Sequence, residues 1–283
     1  IFNATSTPTL SFSAVEDYDI TGCATCVTLT TSPFVNAADP DGADDIFGTA
    51  DDGLIPAVGS VLINAGDSTK NTETTDIAGQ ARVQGTTIDI GAYEADPCSG
   101  LGSILYVDAT ATTGTNSGAN WANAFTSLET ALALQGCSTV TEIRVASGTY
   151  KPTASRLCTD CTASTQEYYF LVDTDIQLKG SYNPATDTQD YSNPSILSGD
   201  FNNDDVVTGS GSTLSITGNT ENARHVLLTK DLTSNAIIDG FNITLANATG
   251  SGSTVDGISI AGFVAGGMYN YNSSPSMSNI IFS

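Results

Sequence analysis

An apolar-x-apolar-x-Gly element returns at a fixed interval in the last third of the chain. Ile216, Ile238, Ile260 and Phe282 stand 22 residues apart, and Leu214, Ala236, Ile258 and Ile280 stand two positions before them. Gly218, Gly240 and Gly262 follow two positions after the first three. Alternation puts two apolar side chains on one face of a short strand, and the glycine lets the chain turn. The segments between are rich in Asn, Ser, Thr and Gly, and no 3.6-residue pattern runs through them, which argues against leucine-rich and ankyrin-type repeats. The period predicts an all-β solenoid, a parallel β-helix with coils about 4.8 Å apart. Ile216, Ile238, Ile260 and Phe282 are expected to form its internal ladder.

Upstream the period blurs while strand-like runs continue at Ile104–Val107, Glu142–Val145, Tyr168–Val172, Ile176–Leu178 and His225–Leu228. One segment differs. Trp121, Phe125, Leu128, Leu132 and Leu134 fall close to the stripe of an amphipathic helix. A solenoid needs its first coil covered, so a short N-terminal capping helix is expected around residues 121–134, within a cap over 104–150. Further upstream, strands are expected at Leu10–Phe12, Val27–Leu29, Val61–Ile63 and Ile88–Ile90. The turn-rich stretch Asp96-Pro-Cys-Ser-Gly-Leu-Gly-Ser reads as a linker. The expected organisation is 1–95, a 96–103 linker, and 104–283.

Charge narrows the function. Eight Lys and Arg stand against 31 Asp and Glu in 283 residues, a formal charge of −23. Charged residues make up 14% of the chain, against about 25% in ordinary soluble domains. So acidic a surface repels phosphate backbones and anionic headgroups, which argues against nucleic-acid and membrane-surface roles. No apolar run approaches the roughly 20 residues of a membrane helix, so no membrane insertion is expected. With no initiator Met or signal-like start, the chain reads as a piece of a longer, processed protein.

Six cysteines form two Cys-x-x-Cys pairs, Cys23/Cys26 and Cys158/Cys161, with Cys98 and Cys137 left to pair. An even count favours disulfides in an oxidising compartment. The rival reading joins the two Cys-x-x-Cys pairs in a four-thiolate zinc site. Asn-x-Ser/Thr matches occur at Asn3, Asn242, Asn247 and Asn272, as expected by chance in this composition.

Residues 76–94, ending Asp89-Ile-Gly-Ala-Tyr-Glu94, resemble the closing segment of pectin-lyase-like, right-handed parallel β-helix domains in large secreted bacterial surface proteins. Ile104-Leu-Tyr-Val-Asp, Trp121-Ala-Asn-Ala-Phe and Ile143-Arg-Val-Ala-Ser-Gly-Thr-Tyr-Lys-Pro look like the opening of the same domain type. Ser198-Gly-Asp200, Arg224-His-Val226, Ile238-Asp-Gly-Phe and Gly266-Gly-Met-Tyr-Asn extend the similarity. The resemblance implies a right-handed parallel β-helix, with the C-terminal portion of one in 1–95 and the capped start of another in 104–283. It also implies secretion to the bacterial cell surface and a place in adhesion, gliding or fibre formation. The expected role is a structural module of an extracellular fibre or adhesin, assembled head to tail with copies of itself. A glycan-binding adhesin domain is the alternative, and a polysaccharide lyase or hydrolase ranks behind it.

The densest acidic cluster is Asp39, Asp41, Asp44, Asp45, Asp51 and Asp52. Six carboxylates in 14 residues repel each other, and calcium takes oxygens from such Asp- and Gly-rich loops. The Asp-x-Asp-Gly start imitates an EF-hand, but position 12 would be Ala50. The competing reading is a solvated turn cluster using the backbone preferences of Asp and Gly. Asp200, Asn202 and Asp204 form a second candidate calcium loop, with an Asn/Asp turn as its rival. Enzyme chemistry finds little purchase. His225 stands alone in an apolar strand, no Gly-x-Ser-x-Gly surrounds any serine, and adjacent Asp204 and Asp205 lack the basic residues expected of a pectin hydrolase. Arg82, with acidic neighbours Asp76, Asp89 and Glu94, reads as an ion pair fixing the closing segment. For surface glycans the candidate stacking rings are Tyr168, Tyr169, Tyr182, Tyr191, Tyr269 and Tyr271, and strand alternation requires that one of Tyr168 and Tyr169 be buried.

Overall fold

The computed structural model describes residues 10–16, 23, 25–29, 32–85, 87–158, 161 and 165–283. Asn3 lies outside them. Contacts divide the chain into two compact units, Ile1–Ser99 and Gly100–Ser283, a division inside the 96–103 stretch.

The second unit is all-β and organised around three parallel sheets. The first joins Phe170–Val172, Leu227–Lys230 and Met268–Tyr271. The second joins Ile104–Val107, Glu142–Ala146, Gln177–Asn183, Ile237–Asp239 and Ser276–Ser278. The third joins Gly148–Tyr150, Ser195–Ser198, Phe241–Thr244 and Ile281–Phe282. From Phe170 onward the chain visits first, second and third sheet in that order three times over. Apolar residues meet in register at each visit. Leu105, Ile143, Leu178 and Ile238 follow one another across the second sheet, and Tyr150, Leu197 and Ile243 across the third. All seven are buried. The first two strands of the first sheet are buried on both faces, and the third, Met268–Tyr271, is half-buried to exposed. Phe170 and Leu227 are fully buried, and on the alternate face Leu171 and Leu228 pack with Tyr169, Val255 and Ile260.

These registers replace the expected ladder. On the last return Leu227 pairs with Met268, Ile238 with Met277 and Ile243 with Phe282, each an advance close to twice the interval seen in the sequence. Elements one sequence interval apart therefore land in different places. Ile238 lies in the second sheet and Phe282 in the third, opposite Ile243 and 53% exposed. Ile216 faces Val207 in an antiparallel hairpin at 40% exposure, and Ile260 faces Ser253 in another hairpin that covers the first sheet.

The expected helix over 121–134 is shorter than the apolar stripe. A 3-10 turn spans Trp121–Asn123, Phe125 bridges Val107, and the α-helix covers only Leu128–Ala133. Ser127 sets its start by accepting the Thr130 N–H. The helix buries Leu128, Ala131 and Leu132, while Trp121 packs between Tyr106 and Tyr182 instead of continuing the stripe.

The first unit holds one parallel pair among its described residues, Ala14–Glu16 with Val27–Leu29. The expected strands at 10–12, 61–63 and 88–90 are not formed. Side chains there take backbone hydrogen bonds that a ladder would use. Asp89 accepts from the N–H groups of Asn64 and Ala95, Asn64 from Thr87, and Ser68 from Ile88.

All six cysteines are disulfide-bonded, Cys23 to Cys26 and Cys158 to Cys161, with Cys98 and Cys137 also oxidised. The zinc alternative therefore has no thiolates. No helix among the described residues is long and apolar enough to cross a membrane.

Candidate metal centre

The third sheet delivers its strand Ser195–Ser198 to Gly199 and Asp200. A Cβ on Gly199 would lie 2.4 Å from the Leu245 carbonyl oxygen, so only glycine lets the two backbones approach there. Asp200 follows, buried, its N–H directed at Ser198 Oγ and its Oδ1 accepting the Asn203 N–H at 2.6 Å. Asn203 adopts φ 57°, a left-handed turn conformation that Asn tolerates. An antiparallel hairpin, Val206–Thr208 with Ser215–Thr217, then leaves the sheets and returns. Its return is tight. Gly218, at φ 92°, places its backbone where a Cβ would lie 2.4 Å from the Asp204 carbonyl oxygen. Glu221 and Asn222 are thereby brought beside Asp204 and Asp205.

One oxygen from each of Asp200, Asp204 and Glu221 lies within 4.8 Å of the others. Asp200 is buried, Glu221 half-buried and Asp204 exposed. Neither Asp200 nor Asp204 has a cationic partner among the described residues. Lys151 reaches this loop but donates to the Asn203 amide oxygen, at 2.8 Å. Asn222 is buried, and its Nδ2 donates to Asp205 Oδ2 at 2.7 Å and to the Leu245 carbonyl at 2.8 Å. Of the residues expected from sequence, Asp200 and Asp204 converge while Asn202 is exposed. Glu221 is not among those expected, because it lies on the far side of the hairpin from Asp204 and only the hairpin's closure brings it in.

The Asp-rich loop of the first unit does not converge in this way. Among the described residues the Asp200 cluster is the one group of three or more candidate ligands so placed. In the loop, Asp44 accepts from the Ile46 N–H, and Asp51 from the Ala43 N–H and the Thr49 hydroxyl. Asp52 Oδ2 accepts from the Gly48 and Thr49 N–H groups and from the Tyr93 hydroxyl. Asp39, Asp41 and Asp45 lie at or near the surface. The loop folds on its own carboxylates, as Asp- and Gly-rich turns do.

The closing segment supplies buried acids next to that loop. Asp52, Asp76, Tyr93 and Glu94 line a cavity of about 500 Å³. Burial works against the Asp52 carboxylate, but hydrogen bonds from Tyr93, Thr49 and Gly48 hold it below its ordinary value. Burial pushes Glu94 up to about 7, with Asp89 and Asp76 adding to the shift while the Asp89 N–H and Arg82 oppose it. Arg82 pairs with Glu94 and donates to the Gly91 carbonyl.

The remaining singled-out side chains are structural in their surroundings. His225 is buried against Tyr269, close to the Ala265 carbonyl, and burial lowers its pKa. Tyr169 and Tyr182 are buried, Tyr168 and Tyr269 half-buried, and Tyr191 and Tyr271 exposed. The chain matches no family model, no curated protein and no solved structure.

Proposed function

We propose that this chain is a structural module of a secreted, surface-exposed bacterial fibre or adhesin, built as a right-handed parallel β-helix of the pectin-lyase-like type. The observation that carries the reading is the threefold return through the same three sheets with apolar residues in register, buried on the first two returns. In such an architecture each return contacts its neighbours, so the core runs along an axis and the particle resists bending and proteolysis. Oxidised cysteines fit an oxidising compartment. The acidic, Lys-poor surface fits a protein that works without nucleic acid or anionic lipid.

Negative-stain electron microscopy of the native material tests the proposal. Rods or fibres, including head-to-tail arrays of this chain, are the expected result. Compact particles that release reducing sugar from acidic polysaccharide would overturn it. Short isolated rods whose glycan-array binding is lost on substitution of Tyr191 or Tyr271 would replace the fibre reading with that of a glycan-binding adhesin.

A further inference from the structure

The three carboxylates at the hairpin base are an arrangement that ordinary turn chemistry does not require. One oxygen of each lies within 4.8 Å of the others, close enough for a single cation to touch all three. Like charges so close repel one another unless protonated or bridged by a cation.

A second observation points the same way. Asn222 is 1% exposed, and its Oδ1 is buried without a hydrogen-bond partner. Its Nδ2 is fixed on Asp205 and the Leu245 carbonyl. The amide is thereby held against Asp205, next in sequence to Asp204, and itself follows Glu221, with its oxygen unpartnered. Asp205 Oδ1, beside it, is likewise buried and unpartnered. Leaving buried acceptors unsatisfied costs about 1–3 kcal/mol each, so a positively charged occupant accounts for both the carboxylates and the orphaned amide oxygen.

We propose that Asp200, Asp204 and Glu221, joined by the Asn222 amide oxygen, bind one calcium ion that ties the base of the 206–217 hairpin to the end of the third sheet. All the donors are hard oxygens, which excludes a preference for soft-ligand metals. Carboxylates of mixed burial on a loop and a hairpin base suit calcium, which accepts flexible coordination, whereas magnesium demands a near-ideal octahedron at about 2.0–2.1 Å. Water completes the coordination on the exposed Asp204 side. The site stands whether or not the chain forms fibres.

The test uses the full chain stripped with EDTA and titrated with CaCl2 by calorimetry, with MgCl2 for comparison. One calcium per chain is expected, bound more tightly than magnesium. At a free concentration 100-fold above Kd, the melting temperature of the second unit should rise by roughly 5–10 °C. Asp204→Asn and Glu221→Gln should each weaken binding about tenfold or more, while Asp44→Asn in the first unit leaves it unchanged. Should the variants fold poorly, wild-type chain loaded with Tb3+ provides a second readout. Tyr168, packed edge-on against Phe201 at 6.1 Å beside Asp200, should sensitise its luminescence, and Tyr168→Phe should dim it. Absence of both heat and thermal shift in the wild type overturns the proposal. So does calcium binding that survives Asp204→Asn and Glu221→Gln but falls in Asp44→Asn.

Discussion

Glu94 makes the first unit sensitive to pH in a direction opposite to that of most carboxylates. In the unfolded chain it titrates at its ordinary value near 4.5, whereas in the folded chain burial lifts it to about 7. Asp89 and Asp76 press in the same direction, and Arg82, though paired with it, does not offset the burial. The folded state thus holds a proton that the unfolded state has lost across the interval from about 4.5 to 7. Stability consequently falls as pH rises through that window and levels off above it. At 1.36 kcal/mol per unit, the shift sets an upper bound of about 3 kcal/mol. Asp89, also raised by burial, changes stability in the same sense. Asp51, Asp52 and Asp67 are lowered below 3.8, so their contributions are lost only at more acidic pH.

Amide hydrogen exchange over residues 76–95, corrected for the intrinsic pH dependence of exchange, reads the effect where it arises. The N–H groups of Asp89, Glu94 and Ala95 bond to Glu94, Asp76 and Asp89 carboxylates respectively. Their protection should drop by up to roughly 100-fold between pH 4.5 and 7.5. Glu94→Gln should flatten that dependence. Trp121, in the second unit, is the chain's single tryptophan, and its fluorescence reports a part of the protein that lacks this titration. The reasoning is refuted if wild type and Glu94→Gln show the same pH dependence in that window, or if the wild type is better protected at pH 7.5.

Three further outcomes follow from the second unit. Leu178→Ala, fully buried between Ile143 and Ile238, should cost about 2–5 kcal/mol in urea unfolding, whereas Ile216→Ala on the exposed hairpin should cost well under half of that. Equal losses would restore the ladder expected from the sequence period. Arg144 bonds Glu142 and Asp187 and lies over the Tyr106 and Tyr182 rings; Arg144→Ala should cost about 3 kcal/mol, followed by Trp121 fluorescence, because it also leaves Glu142 half-compensated. Selective loss of Cys158–Cys161 by double substitution to Ser should cost about 2 kcal/mol or less, since so short a separation closes a minimal loop; a collapse of the fold would show that this bridge does more than restrain a turn.

The parts of this fold legible in sequence are those governed by local alternation. Ile104–Val107 and Glu142–Ala146 form where the pattern places them, and Tyr169 is the buried member of its pair. The spacing misleads because apolar-x-apolar-x-Gly describes a strand end wherever it lies, in a stacked sheet at Ile238 or in a lateral hairpin at Ile260. Leu178 meets Ile238 across a longer stretch of chain than Leu197 needs to meet Ile243, and the following return, from Ile238 to Met277 and Ile243 to Phe282, is shorter than either. No fixed period could show such partners. The acidic site follows the same rule. Asp200 and Asp204 share one loop and are readable, but Glu221 joins them only through the hairpin's closure. In the first unit, acid density points to the Asp39–Asp52 loop, yet Asp44, Asp51 and Asp52 there accept hydrogens from the backbone, Thr49 and Tyr93 instead of converging, a choice that composition cannot disclose.

The unequal returns have a consequence for how such a chain can change over evolutionary time. A hairpin that leaves after the third sheet and rejoins before the first adds length without altering which strands meet. Closing a longer excursion adds only about 0.6 kcal/mol per doubling of its length. The stacked strands can therefore remain a constant track while the departures from it lengthen, shorten or acquire new chemistry, and variation between descendants of this chain should gather in segments such as 201–222.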